Sequence, residues 1–496
     1  MSQDIKFILR EKDWRNGALV YQVLVDRFNP SNDLELRKDL YQYPKKLRSW
    51  NELPKPGKFL EDVRYWSHEL DYWGGNLKGL IEKLDYIINL GVNVLYLNPI
   101  FESLSNHKYD ASDYLEISKE YGSKEDLKLL IDKIHENQMK IMLDGVFNHV
   151  GVSNPLFQKA SKGEAYQDFF DFNEKYPYGV RLWADAPSLP ELNLESENVK
   201  SYIYKAKDSV IRSYLNLGID GWRLDVAFDL GFNILKDLRD YARNEKEDVM
   251  IVGEIWNYPK DWLKSIDGVM NFTFRQIILS LLSQEISTKK AIEMISEVIG
   301  DSDYDGLLKS WNVLDNHDVP RLKNLIPDEA LQKIAQVLQF TLPGSPNLYY
   351  GTELGMDGGG DPLNRAPMRW DLLNDENETF NWIKSLINLH KSERALRVGD
   401  FIPIFANDLL VFMRVTGRVE DTCIIAINPS DKTMKETVLL KDSRLMNYSR
   451  FKILLGDVEP LSLRSGLITL GLKAKSFVIF KPDIEPEKSY TPYKRV

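Results

Sequence analysis

Eight short apolar runs alternate with amphipathic helical stretches between residues 18 and 398, and this alternation constrains the fold more than any other feature. The runs are ALVYQVLV (18–25), NVLYLNP (93–99), MKIMLD (139–144), GWRLD (221–225), DVMIVGE (248–254), DGVMNF (267–272), KSWNVLD (309–315) and SPNLYYG (345–351). Among the stretches between them, LKGLIEKLDYIINLG (77–91), KEDLKLLIDKIHENQ (124–138) and NVKSYIYKAKDSVIRSYLNLG (198–218) carry apolar residues at helical spacing. Strands alternating with helices predict a parallel sheet covered by helices. Eight such units favour a closed (β/α)8 barrel. An open doubly wound sheet would want a glycine-rich phosphate turn after its first strand, and none is there.

Two connections exceed minimal barrel spacing. Residues 29–75 form a long loop after the first strand. Residues 150–192 form an insertion after the third, carrying Phe157, Phe169, Phe170, Phe172, Tyr176, Tyr178 and Trp183. Long loops of this kind lie at the C-terminal face, where barrel enzymes build their sites. The rings could stack on a ligand or form a small core of their own. The expected domains are a barrel over 1–149 and 193–398 with the insertion as a second unit. From 399 to 482 the pattern changes to strands without helices (FIPIFA, LLVFMRV, TCIIAIN, ETVLL, SFVIF), which reads as an antiparallel β-sandwich followed by a Pro- and charge-rich tail, 483–496.

The formal charge of −10 argues against a nucleic-acid partner, which usually leaves a basic footprint. No apolar run is long enough to span a bilayer, and the N-terminus shows no secretory h-region. The single cysteine, Cys423, excludes an intrachain disulfide. A cytoplasmic protein without a membrane partner is expected; oligomeric state stays open.

Polar residues follow the apolar runs. The third ends in Asp144, Asn148 and His149; the fourth in Arg223 and Asp225; the fifth in Glu254; the seventh in Asn316, His317 and Asp318. Residues two apart on a strand share a face, so Arg223 and Asp225 can both point into the barrel mouth. Singly, each has a bland reading as an ion pair, cap or turn. Together they include four carboxylates, an arginine and two histidines on four strand ends. Of only six histidines, His107, His149 and His317 fall in these loops.

At these positions DGVFNHV, GWRLDVAFD, GEIW and LDNHD resemble the successive signature segments of the α-amylase family of retaining glycoside hydrolases. LPELN (189–193) is similar to the family's short motif near the end of the insertion. YQVLVDRFNP, NHKYDASDY and GGGDPLNRAPMRW resemble the neopullulanase, cyclomaltodextrinase and maltogenic amylase branch. The resemblance implies Asp225 as nucleophile, Glu254 as general acid/base and Asp318 as the third carboxylate. It implies that Arg223, His149 and His317 line the reacting subsite, with Tyr109 under the sugar and His107 nearby. Asp361 and Arg365 would contact the non-reducing side and Trp256 the leaving-group side. The implied substrate is an α-glucan, with α-1,4 bonds, and α-1,6 bonds as a second candidate, cleaved in maltooligosaccharides, cyclodextrins or short pullulan and starch fragments.

The chemistry is consistent with those roles. Glycosidic cleavage needs one protonated and one ionised carboxyl flanking the bond. Arg223 beside Asp225 should favour an ionised nucleophile. No cofactor is required. The resemblance also implies a structural Ca²⁺ on Asn29, Asn32, Asp33, Gly74 and Asn76, although the segment is shortened and lacks an aspartate. The branch's N-terminal β-domain has no counterpart among the residues before the first strand. Phe228 and Asp229 replace the Lys-His or Asn-Glu of many relatives. A transglycosidase on the same site is one alternative, and a non-catalytic carbohydrate-binding homologue is another, although such relatives usually lose a catalytic carboxylate.

Overall fold

The computed structural model describes residues 4–485 and 491–494. All eight apolar runs form strands: β1 Val20–Val23, β2 Val94–Leu97, β3 Lys140–Gly145, β4 Gly221–Leu224, β5 Met250–Ile255, β6 Gly268–Asn271, β7 Trp311–Asn312 and β8 Ser345–Tyr349. They pair in parallel and close into a barrel, β1 lying between β2 and β8.

Each strand is buried on both sides because its two faces meet different cores. Outward residues such as Tyr21, Leu95, Trp222 and Ile251 pack against the surrounding helices. Inward residues, among them Val20, Val94, Tyr96, Met142, Met250, Val252, Met270 and Trp311, plug the barrel. Close packing of the plug leaves Gly221 no room for a side chain: an added Cβ would sit 2.4 Å from the Met250 carbonyl oxygen. Above the plug the inward positions turn polar, as Gln22, Asn98, Asp144, Arg223 and Glu254. That change sets the level of the site.

The helix Lys124–Glu136 follows the periodicity and starts on a capping box, Ser123 Oγ accepting from Asp126 N–H (3.2 Å) and Asp126 accepting from Ser123 N–H (3.0 Å). The other two helical expectations break. Residues 77–91 form two helices, Leu77–Glu82 and Leu84–Leu90, with a kink at Lys83 and a left-handed Gly91 as the stop. Residues 198–218 begin as Glu197–Lys200, widen into a π-helical turn Ser201–Lys205, leave helical geometry at Ala206 and restart as Val210–Leu217. Ser209, a residue type favoured at helix starts, marks the restart.

In the insertion, Phe157, Phe169 and Phe170 are buried, and Phe157 meets Phe170 edge-on at 5.1 Å. Three of its seven rings are therefore core, and Phe172 packs partly buried against them. Beyond the barrel, a five-stranded antiparallel sheet (Asp400–Ile404, Leu410–Val415, Cys423–Asn428, Phe451–Gly456, Ser476–Pro482) faces a three-stranded one (Met434–Leu439, Leu463–Arg464, Leu467–Leu472). One side of the larger sheet joins the barrel core through Leu410, Phe412, Ile425 and Ile427; the other meets the smaller sheet through Val411, Met413, Ile424 and Ala426. Burial on both faces is why these two strands read as unbroken apolar runs. Strands 451–456, 463–464 and 467–472 escaped the sequence reading because exposed residues interrupt them. Part of the expected tail, 486–490 and 495–496, lies outside the described residues. Tyr493, within that tail, is buried, its hydroxyl bonded to Ser449. Among the described residues no helix is long and apolar enough to cross a membrane.

Candidate active site

The barrel register sets Arg223 on β4 directly beside Asp144 on β3. Its Nη1 donates to Asp144 Oδ1 (2.8 Å) and to Asp225 Oδ1 (2.9 Å), while Nη2 lies 2.9 Å from Glu254 Oε2, poorly aligned for a hydrogen bond. Three carboxylates from three adjacent strands thus share one guanidinium that has no exposed surface. Arg223 lies beneath the pocket floor, its Nε 3.5 Å from Met270 Sδ. This corrects the expectation that it lines the subsite: the inward strand position buries it below the carboxylates it supports.

A pocket of about 690 Å³ opens above. It is lined by Asp225, Glu254 and Asp318, by His107, Tyr109, His149 and His317, and by Trp256, Asp361 and Arg365, so the other expected site residues converge. Glu254 Oε1 accepts from Trp256 Nε1–H (2.8 Å), and Oε2 accepts from Val226 N–H (3.1 Å). Val226 reaches that position with a left-handed backbone (φ 39°), a strained conformation for a β-branched residue. On the opposite wall, Arg365 donates to the His317 carbonyl oxygen (2.8 Å) and lies 3.5 Å from Asp318 and 3.3 Å from Asp361.

The neutral walls are wired into the floor. Gln22 Nε2 is 3.0 Å from His317 Nδ1, which makes Nδ1 the acceptor and puts the ring proton on Nε2. Nε2 is 2.6 Å from the Tyr109 hydroxyl, which in turn donates to Asp144 Oδ2 at 2.8 Å. Tyr96 also donates to Asp144. Burial, with repulsion from Arg365 and Arg223, holds His317 well below the ordinary histidine value. Burial lowers His149 to about 3. His149 has no partner for either ring nitrogen among the described residues, and Trp183 of the insertion stacks on it at 5.1 Å. Both imidazoles are neutral at working pH. A buried polar ring without a partner costs about 1–3 kcal/mol, which a ligand hydroxyl could recover.

Asp225 departs from expectation. Burial pushes its carboxyl well above the ordinary range; Arg223 opposes this, and the charges of Glu254, Asp144 and Asp318 reinforce it. One guanidinium does not offset the desolvation of a carboxyl that also faces three others.

Several lining residues carried no signal in the sequence. Glu69 comes from the long first loop and lies 3.5 Å from His107. Trp183 looked like any other ring of the insertion; it reaches the pocket and donates from Nε1 to Asp229 Oδ2 (3.0 Å). Phe228 and Trp256, which the sequence did single out, are both more than half exposed and extend the aromatic surface outward.

A family model for the α-amylase catalytic domain matches residues 22–398. The chain belongs to the α-amylase family. It is 34% identical over 442 residues to a cyclomaltodextrinase of Geobacillus thermopakistaniensis, covering 86% of this chain and 71% of that protein. It is 33% identical over 453 residues to neopullulanase 2 of Thermoactinomyces vulgaris, covering 86% and 72%. Among solved structures, the debranching enzyme of Nostoc punctiforme superposes with a TM-score of 0.79 at 30% identity, covering 95% of this chain and 99% of that one. This α-amylase-family member is a glycoside hydrolase, and its barrel, insertion and trailing β-domain are the scaffold of that chemistry.

The residues that the resemblance implies for calcium lie near one another, and their side chains have other partners. Asn76 Oδ1 caps the next helix by accepting from Gly79 N–H (2.8 Å), and its amide donates to Ser31 (2.7 Å) and weakly to the Gly74 carbonyl (3.4 Å). The Asn29 amide donates to the Pro30 and Gly79 carbonyls at 3.2 and 3.0 Å, and that of Asn32 faces Glu82 (3.3 Å). Asp33, the one carboxylate in the set, accepts from Ser31 and lies 3.4 Å from the Lys78 ammonium. Ca²⁺ takes six to eight oxygens; here one side-chain oxygen of the set, Asn76 Oδ1, caps a helix, and the one carboxylate lies 3.4 Å from a lysine ammonium.

Proposed function

We propose that this hydrolase cleaves α-1,4-glucosidic bonds, and α-1,6 bonds where they occur, in maltooligosaccharides, cyclodextrins and short pullulan or starch fragments, with retention of configuration. The observation that carries this reading is the carboxylate cluster on Arg223 at the floor of a pocket walled by neutral imidazoles and aromatic rings. In this reading Asp225 attacks the anomeric carbon while Glu254 protonates the leaving oxygen, giving a glycosyl ester on Asp225. Glu254 then takes a proton from water, which opens the ester. Arg223 opposes the effect of burial on Asp225 and so favours the ionised form that the first step needs. Asp318, steadied by Arg365, accepts from sugar hydroxyls, as do the neutral histidines. Tyr109 and Trp183 offer faces to the rings. A cytoplasmic setting suits the buried free thiol of Cys423.

A product time course on maltoheptaose, β-cyclodextrin and pullulan tests the reading. Shorter maltooligosaccharides released with the α-anomeric configuration are expected; no turnover of any of the three refutes it. Transfer to a second sugar is favoured by one observation, the exposed rings of Phe228 and Trp256 on the leaving-group side. Early products longer than the substrate would establish it.

The raised pKa of Asp225 sets the acid limb of activity. The nucleophile must be ionised, so kcat/KM should fall on acidification with a midpoint above the ordinary aspartate value of about 3.9. A midpoint at or below that value contradicts the burial argument. His149, near 3, is neutral throughout this window and adds no step.

Removal of divalent ions should change little. Dialysis against a chelator is expected to leave both the melting temperature and the rate unaltered, because Lys78 and the Asn76 cap already hold the first loop. A fall in melting temperature that calcium reverses would show that the loop rearranges to bind the ion.

A further inference from the structure

A second cleft, of about 610 Å³, opens between the Tyr166–Phe169 turn of the insertion and the π-helical turn Ser201–Lys205. It shares no lining residue with the catalytic pocket. We infer that it is a second α-glucan-binding site, which holds a run of glucosyl units outside the reacting centre. The inference rests on the α-glucan reading above.

The chemistry of the cleft selects a neutral polyol. Tyr166 and Tyr202 flank Phe169, with ring centroids 5.2 and 6.1 Å from it, so apolar ring faces border the space. Tyr166 stays 39% exposed although its backbone is left-handed (φ 61°, ψ 29°), a conformation uncommon for a residue with a side chain. Packing on Phe169 offsets part of that strain, and the part of the ring left open is available for contact. Beside it, Asp168 Oδ2 accepts from Ser196 Oγ (2.6 Å) and Asn198 Nδ2 (2.9 Å), so the carboxylate is preset at the rim. Asp208 and Ser201 add further polar groups, and Ser209 Oγ, buried beneath, has no partner among the described residues.

No lysine or arginine lines the cleft, which disfavours phosphate or another anion. Sugar hydroxyls donate to carboxylates and accept from amides and hydroxyls, while their C–H faces pack on tyrosine rings. A π-helical turn at the rim fits a binding role, since such turns are enriched at functional sites. The cleft is also tied to the catalytic loop. Asn193 donates from its backbone to the Phe169 carbonyl (2.7 Å) and from its side chain to the Asp168 carbonyl (3.0 Å). Leu192 N–H donates to the Asn148 carbonyl (2.9 Å), next to His149. A glucan seated on the cleft is thus held by the same insertion that supplies Trp183 to the pocket.

Native electrophoresis through gels containing soluble starch tests the site in the full chain. The Asp225→Asn protein is expected to be retarded. In that background Tyr166→Ala, and separately Ala206→Trp, which fills the cleft, should each raise the dissociation constant read from retardation by about tenfold. In the otherwise native enzyme, the same two changes should leave kcat/KM on maltotriose within about twofold, as expected of surface changes away from the reacting groups. Unchanged retardation in both variants overturns the inference. So does loss of maltotriose hydrolysis along with retardation, which would make the cleft structural. If the native enzyme turned over no α-glucan, the proposed function would fail, while retardation would still report the cleft separately.

Discussion

Asp225→Asn is expected to lower the hydrolysis rate on maltoheptaose by a factor on the order of 10⁴ or more, and to raise the melting temperature. The loss follows from chemistry, because an amide cannot form the glycosyl ester. The gain follows from electrostatics. Asp225 is buried, faces Asp144, Glu254 and Asp318, and its pKa is raised. An acid whose folded-state pKa is raised destabilises the fold once pH exceeds its unfolded value, and the penalty grows until the folded value is reached. Removing that group at neutral pH should contribute about 0.5–2 kcal/mol, the usual scale when a strained active-site group is replaced. Arg223 keeps Asp144 and Glu254 as partners, so the substitution orphans no cation. Thermal scans at pH 7 and pH 4 check this: the stabilisation should be larger at pH 7. Substantial activity retained by the variant would remove Asp225 from the nucleophile's role; a lower melting temperature at pH 7 would refute the electrostatic account.

Arg223→Met should have the opposite effect on stability. Methionine fills similar space against Met270 but leaves Asp144, Asp225 and Glu254 without their shared cation. Removing one partner from a buried charge cluster costs about 3–5 kcal/mol. The cost should shrink on acidification. Burial already raises the pKa of Asp144, and without Arg223 nothing opposes that rise, so protonation at lower pH relieves the folded state more than the unfolded one. Denaturation midpoints at pH 7 and pH 5 measure both effects. Adding Asp144→Asn to the variant should recover part of the loss at pH 7 without restoring activity. Equal midpoints for the native and Arg223→Met proteins at pH 7 would show that Arg223 is not what holds the carboxylates together.

Much of the site was legible because barrel strands end where polarity begins. Asp225 and Glu254 each close an apolar run, and His149, His317 and Asp318 follow within a few residues, so position along the chain was a usable proxy for position in the mouth. The proxy misled at Arg223. It shares a strand face with Asp225, but one inward position lower on the strand is the difference between lining a pocket and supporting it. For Trp183 there was no proxy: nothing local separates it from Phe157, one ring facing the pocket and the other buried in the insertion's core. The helix expected over 198–218 failed locally, at the polar KAKDS segment, where Ala206 takes an extended backbone and the next helix begins after Ser209.

Sequence alone determined the alternation of strand and helix, the barrel that eight such units close into, and the polar residues at their ends. Those are properties of hydrophobic period and chain order, which act over a few residues at a time. Only the tertiary structure decided which carboxylates share Arg223, which way the His317 proton points, which aromatic of the insertion reaches the pocket, and that Asp225 is harder to ionise than its arginine neighbour suggests. Closure of the barrel brings residues from Gln22 to Arg365 into one low-dielectric mouth, where burial and through-space charge outweigh the influence of any neighbour in sequence.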